Sequence, residues 1–283
     1  MPRTRRFDWD NLALRIASGL VLAAVALYLV WFDPGHAGFL VLTSVAVTLL
    51  SYEWGRMAAP TAWVRVAVAM ALAVVATVLL TYTDHIVLAV AMIAIGSVAA
   101  AIVSRGVTER RADAAYGVLY VAPAGMALTW LRYGPPLQTL HGVPWQGAGW
   151  TIMLFCTTWA ADICAFATGN ALKGPKLWPR FSPNKTWSGF FGGLVGAAAA
   201  AVGVAALLMR LSLIGAALIG LAGGLATMMG DLWESMLKRR FGVKDSGDLI
   251  PGHGGLLDRV DGLMFATLVF AAARLIVRFG WAH

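Results

Sequence analysis

The chain has 283 residues, 59% apolar and 13% charged, with a formal net charge of +8 and a mean hydropathy of +0.73. Soluble domains run at about 45–50% apolar and about 25% charged, and a soluble fold of this size has no polar cover for so much apolar surface. A soluble domain, a disordered chain, a collagen-like repeat and a disulfide scaffold are therefore excluded, and the expected fold is an all-α, polytopic integral membrane protein. Cys156 and Cys164 lie inside one apolar stretch and read as small buried hydrophobes. The positive charge does not call for a nucleic acid partner, because its placement along the chain explains it.

A helix crossing about 30 Å of hydrocarbon needs about 20 mostly apolar residues. In chain order such runs occupy 13–32, 37–57, 63–82, 85–104, 113–132, 149–171, 187–209, 212–234 and 259–280, which predicts nine transmembrane helices joined by mostly short connections. Asp33-Pro34-Gly35, Ala59-Pro60-Thr61, Gly134-Pro135-Pro136 and Pro251-Gly252 supply turn chemistry between spans. The first apolar run is long and lacks a small-residue cleavage site, so it reads as a span and not as a signal peptide. When successive connections are assigned to alternate sides, Arg132, Arg210, Arg274 and Arg278 fall opposite the N-terminus and the other 18 of the 22 basic residues fall with it. The positive-inside rule then puts the N-terminus in the cytoplasm and the C-terminus outside. The expected setting is the inner (plasma) membrane, multi-pass, with any active site facing the cytoplasm.

Two regions differ in character. Residues 1–148, spans one to five, are Ala/Val/Leu-rich with few interior polar groups. Residues 149–283, spans six to nine with two cytoplasmic loops, carry acids inside or at the ends of the spans, most of the glycines and the expected chemistry. An ionisable group at membrane depth costs roughly 2.5–3.5 kcal/mol on insertion scales, so such groups mark function. Asp162 lies in the sixth span. Asp231 and Glu234 end the eighth, where Asp231, Glu234, Ser235 and Lys238 share one helix face. Asp258 and Asp261, at i and i+3, open the ninth after a glycine-rich loop containing His253. Capping acids are the bland alternative there, but two convergent carboxylates suit a hard divalent cation such as Mg²⁺ better. Glu53, beside Trp54, reads as an interfacial anchor paired with Arg56. The loop from Lys173 to Trp187 brings basic residues and hydroxyls to the start of the seventh helix, where anions bind well. Gly192/Gly196 and Gly220/Gly224, at four-residue spacing, predict close helix packing. Phosphate-binding cations, paired carboxylates and a headgroup-level location together equip a chain for metal-assisted phosphoryl or nucleotidyl transfer.

The run Ser235-x-x-Lys238-Arg239, Lys244-Asp245, Pro251-Gly252-His253-Gly254-Gly255-x-x-Asp258-Arg259-x-Asp261 resembles the signature of phosphatidate cytidylyltransferases, the CDP-diacylglycerol synthases. Ser182-Pro183-Asn184-Lys185-Thr186 resembles the second motif of that family, with Asn184 where a lysine more often stands. The Gly230-Asp231-x-x-Glu234-Ser235 run, the Asp162 region and the Glu53-Trp54 pair extend the similarity. The resemblance implies reaction of CTP with phosphatidic acid, among membrane lipids, to give CDP-diacylglycerol and pyrophosphate. It implies Mg²⁺ on Asp231 and Asp258, with Asp261 as a further candidate ligand and a monovalent cation, K⁺, alongside. Lys238, Arg239, Lys244 and Lys185 would bind phosphates; Ser182, Thr186, Ser235 and His253 would position substrates, with Arg259 among the substrate-binding residues and His253 also a candidate base. Two other readings stand beside it: a CTP-dependent lipid kinase of the polyprenol type, and an anion transporter, against which the helix-end acids and the lack of a repeat both argue. Whether the chain forms a homodimer stays open.

Overall fold

A computed structural model describes residues 9–33, 37–106, 111–137, 146–179, 182–209, 211–250 and 254–279. Among the described residues there are nine α-helices: α1 Trp9–Phe32, α2 Gly38–Ala58, α3 Trp63–Tyr82, α4 Ile86–Val103, α5 Arg111–Tyr133, α6 Gln146–Leu172, α7 Trp187–Leu208, α8 Leu213–Arg240 and α9 Leu257–Arg278. Eight, α2 to α9, are long and apolar enough to span a bilayer. Their outward faces carry exposed aliphatic and aromatic side chains such as Leu72, Val87, Ile163, Phe191 and Leu207, the surface a lipid-facing helix requires. The chain is a multi-pass membrane protein.

Two departures from the sequence-based expectation bear on function. The connection between α6 and α7 holds a small antiparallel pair, β1 Lys176–Trp178 with β2 Ser182–Thr186, pairing Lys176 with Thr186 and Trp178 with Ser182. The all-α membrane bundle thus carries one short hairpin-like element at its basic end. The eighth helix also runs past the predicted end at residue 234 to Arg240. It stops there because Gly242 adopts φ +72°, a left-handed conformation that glycine tolerates without Cβ strain. The Gly242 and Val243 N–H groups then return to the Arg239 and Lys238 carbonyls at 3.2 and 2.9 Å, a Schellman termination. Those two extra turns carry Lys238 and the basic residues of the family-like motif.

Small residues set the packing. A Cβ on Gly220 would stand 2.7 Å from the Ala197 carbonyl, and one on Gly224 2.6 Å from the Ala197 Cβ, so α7 and α8 touch backbone to backbone. Gly192 and Gly196 likewise let α7 close on the side chains of Thr168 and Cys164 of α6, as the four-residue spacing predicted. Both cysteines are free and half-buried. Trp54 is fully buried among Tyr116, Tyr120 and Phe241, and its Nε1 donates to the Asp113 carbonyl at 2.9 Å, joining α2 to α5 and to the end of α8.

Arg274 is a third departure. Fully buried within α9, it donates from Nη1 to the Trp130 and Leu131 carbonyls at 2.7 Å and from Nη2 to Gly134 and Pro135 at 3.0 and 3.1 Å. It is a cation placed on the negative end of α5, where the last carbonyls of a helix lack intrahelical donors.

Candidate active site

The site is built from the C-terminal halves of α6 and α8 and the start of α9, with the β1–β2 element beside them. Asp231 lies nine residues before the end of α8, and Lys185 of β2 forms an ion pair with it. Asp162 is exposed on α6, within electrostatic range of Asp231, Lys185 and Arg259. Asp261 on the first turns of α9 is within the same range of Asp231, Asp162 and Lys238. The two helices meet here because Gly230 and Gly262 lack side chains: a Cβ on Gly230 would fall 2.5 Å from the Asp261 carbonyl, and one on Gly262 2.7 Å from Thr227. Asp162, Asp231 and Asp261, from three different helices, are thus within range of one another's charge.

One turn further along α8 stands a second charged group. Lys238 Nζ lies 2.6 Å from Glu234 Oε2 and 2.7 Å from Asp258 Oδ1, with the Glu234 and Asp258 side chains only 1% and 10% exposed. The Glu234 contact is close yet not aligned as a hydrogen bond, so neither Glu234 oxygen has a well-directed donor. Asp258 also accepts from the Ser246 and Gly255 backbone N–H groups, each 3.1 Å from Oδ2. Asp258 is thus neither a plain helix cap nor a bare carboxylate: the backbone orients it and a lysine neutralises it. The N-cap position of α9 belongs to Leu256, whose side chain caps nothing.

Glu53 corrects the sequence-based assignment. Its side chain is fully buried, and it accepts from Leu256 N, Leu257 N and Ser246 Oγ at 2.7, 2.7 and 3.3 Å. Arg56 instead donates to the Tyr52 hydroxyl at 3.1 Å and lies over that ring. The i, i+3 spacing made Glu53–Arg56 plausible as a surface pair. The carboxylate turns inward because the start of α9 offers it two N–H donors, which no local pattern could reveal.

The remaining predicted residues divide by location. Thr186 Oγ1 accepts from Gly189 N at 3.1 Å, so it serves as the N-cap of α7. Ser182 and Ser235 are half-buried near the ion pairs, while Arg239, Lys244 and Arg259 are exposed along the basic rim. His253 lies outside the described residues. Arg240, not assigned from sequence, forms an ion pair with Asp113 and ties the end of α8 to the start of α5.

Among the described residues no three Asp, Glu, His or Cys side chains converge as a ready-made metal shell. The chemistry of the donor set nevertheless fits Mg²⁺, which binds through one or two carboxylates completed by water and substrate phosphates. Every acid here offers hard oxygen, and the neighbouring cations are lysines and arginines that phosphate can attract.

Membrane-length helices with acids, lysines and hydroxyls gathered at one end define an integral membrane protein equipped to handle phosphorylated substrates. The match to the Cytidylyltransferase family spans residues 13–277, and the chain belongs to that family. A phosphatidate cytidylyltransferase of Brucella suis biovar 1 is 39% identical over 274 residues, covering 96% of this chain and 94% of the relative. One from Pseudomonas aeruginosa is 36% identical over 284 aligned positions, covering 94% of this chain and 97% of the relative. One from Mycobacterium tuberculosis is 40% identical over 121 residues, 43% of this chain.

Proposed function

We propose that this protein transfers the cytidylyl group of CTP to phosphatidic acid, releasing pyrophosphate and leaving CDP-diacylglycerol in the membrane. The observation that carries the reading is the pairing of each buried or half-buried site lysine with a carboxylate: Lys185 with Asp231, and Lys238 with Glu234 and Asp258. The relatives matched over nearly their whole length bear the name of this reaction.

The residues divide the work. Lys185 and Lys238 leave their carboxylates for the phosphate oxygens of CTP, while Arg239, Lys244 and Arg259 on the rim draw in both anionic substrates. Ser182 and Ser235 donate hydroxyl hydrogen bonds, and Thr186 holds the start of α7 so that its N-terminus faces the same anions. The carboxylates so vacated, Asp231 and Asp258 with Asp261 as a further candidate, would be the oxygen ligands for Mg²⁺, with K⁺ alongside as the family resemblance implies. When bound, Mg²⁺ would neutralise charge on the triphosphate and the departing pyrophosphate. The lipid phosphate attacks the α-phosphorus in line; the bond from that phosphorus to the bridging oxygen of pyrophosphate breaks. No proton need be removed from a phosphate nucleophile, so the role left to His253 is to orient substrate. The site faces the cytoplasm of the inner membrane, where soluble CTP and the lipid headgroup can meet; the bias of basic residues toward this end supports that orientation.

The test is an assay of purified protein with CTP, short-chain phosphatidate and Mg²⁺, following pyrophosphate and the lipid product. Pyrophosphate with a CMP-bearing lipid, abolished by omitting Mg²⁺, is the expected result. Appearance of CDP and a newly phosphorylated lipid would overturn the reading in favour of a kinase.

A further inference from the structure

Glu53 belongs to α2, a helix that supplies none of the substrate or metal residues, yet its carboxylate interleaves with Asp258 on the same stretch of backbone. Oε1 accepts from Leu256 N and Oε2 from Leu257 N, each at 2.7 Å, while Asp258 takes the N–H groups of Gly255 and Ser246 at 3.1 Å. Ser246 bridges the two acids, since its Oγ donates to Glu53 Oε2 at 3.3 Å. The fit is tight: a Cβ on Gly255 would stand 2.9 Å from Glu53 Oε1 and 1.9 Å from Ser246 Oγ, and one on Gly247 3.1 Å from Glu53 Oε1.

We infer that Glu53 is a positioning residue, which caps the first turn of α9 from a distant helix and so leaves Asp258 free to face Lys238. The first N–H groups of a helix have no intrahelical acceptor and carry the positive end of its dipole. Leu256, at the N-cap, has no side-chain acceptor to offer them. Without Glu53, the half-buried Leu256 and buried Leu257 N–H groups lose their acceptor, and the nearest carboxylate on their own helix is Asp258. Glu53 therefore acts through Asp258 and Lys238 and touches neither substrate. The kinetic consequence rests on the cytidylyl-transfer reading; the structural one does not.

Glu53→Gln in the full chain tests this. Gln keeps the volume and one acceptor oxygen but sets an NH₂ group against a backbone N–H. Two readouts apply: steady-state kinetics with CTP and short-chain phosphatidate, and tryptic cleavage after exposed Lys244, two residues before Ser246, followed by fragment mass. The expected variant elutes as wild type in detergent. Its kcat falls by about tenfold or more while its KM for CTP moves by less than about threefold, the signature of misaligned reacting groups rather than lost binding. Cleavage after Lys244 becomes several-fold faster. A folded variant with wild-type kcat, or one whose cleavage rate is unchanged, overturns the inference. If wild-type protein itself shows no cytidylyl transfer, the proposed function falls and the cleavage comparison alone decides the role of Glu53. If Glu53→Gln does not accumulate, Ser246→Ala removes one donor from the same junction; a smaller shift of both readouts in the same directions is expected, and wild-type values in both overturn the inference.

Discussion

Lys185 and Lys238 look interchangeable in the sequence, each a lysine in a family-like motif near acids, and their surroundings make them different. Lys238 sits between two carboxylates that are 1% and 10% exposed, whereas Asp231, the partner of Lys185, is 39% exposed. Removing one partner from a buried ion pair costs about 3–5 kcal/mol, while an exposed pair contributes about 0–1 kcal/mol. Lys238→Met is therefore expected to lower the melting temperature in detergent markedly, with Glu234→Gln in the same chain recovering part of the loss. Lys185→Met should melt as wild type and show its effect in kcat/KM alone; equal melting temperatures for the two variants would contradict this contrast. Asp258→Asn makes the opposite case. Lys238 keeps Glu234 as a partner, and the Asn oxygen can still accept a backbone N–H, so the chain should fold and insert. On the proposed assignment the lost charge weakens the hold on Mg²⁺, and activity is expected to fall by about a hundredfold or more, each 1.36 kcal/mol being tenfold in rate. Excess Mg²⁺ should restore only part of it, and near-normal transfer with unchanged Mg²⁺ dependence would return Asp258 to a structural role.

Among the elements, α9 has the most varied duties. One end presents Asp258 and Asp261 to the site; toward the other, Arg274 holds the closing carbonyls of α5. By sequence Arg274 and Arg278 are equivalent, two of the four basic residues on the sparsely charged side. In the fold Arg274 is buried and Arg278 exposed. Arg274→Met leaves four carbonyls without their charged donor, and a hydrogen bond to a charged group is worth roughly 1.5–3 kcal/mol. Its melting temperature should drop by far more than that of Arg278→Met, measured side by side; parity would mean the carbonyls find water instead. The helix boundaries themselves were legible to within a few residues, because hydropathy and turn chemistry act locally. The eighth helix was the exception: its last turns are polar, and its true end depends on Gly242 adopting a left-handed conformation.

At the scale of the whole molecule, topology is the property that sequence argues best and that an experiment checks directly. Ser246, in the middle of the loop by sequence, is buried against Glu53 and would make a poor reporter; its neighbour Asp245 is exposed. Asp245→Cys should react with an impermeant thiol reagent in inverted vesicles and not in intact cells, in a background lacking Cys156 and Cys164. Labelling from outside would reverse the orientation proposed here. The amino-acid sequence alone determined the bilayer as solvent, the order of the apolar helices and their charge asymmetry, and it singled out Asp231, Asp258, Lys185 and Lys238 as candidates. Each of these follows from transfer energies and periodicities read within one segment. Tertiary structure alone decided which acid meets which cation, because Glu53 reaches α9 across about two hundred residues, Lys185 crosses from β2 to α8, and Arg274 finds carbonyls rather than a carboxylate. In a bundle where most side chains are apolar, each buried polar group must settle on whatever partner the helix packing brings within reach, and that packing is set by glycines and alanines whose contacts lie far apart in the chain.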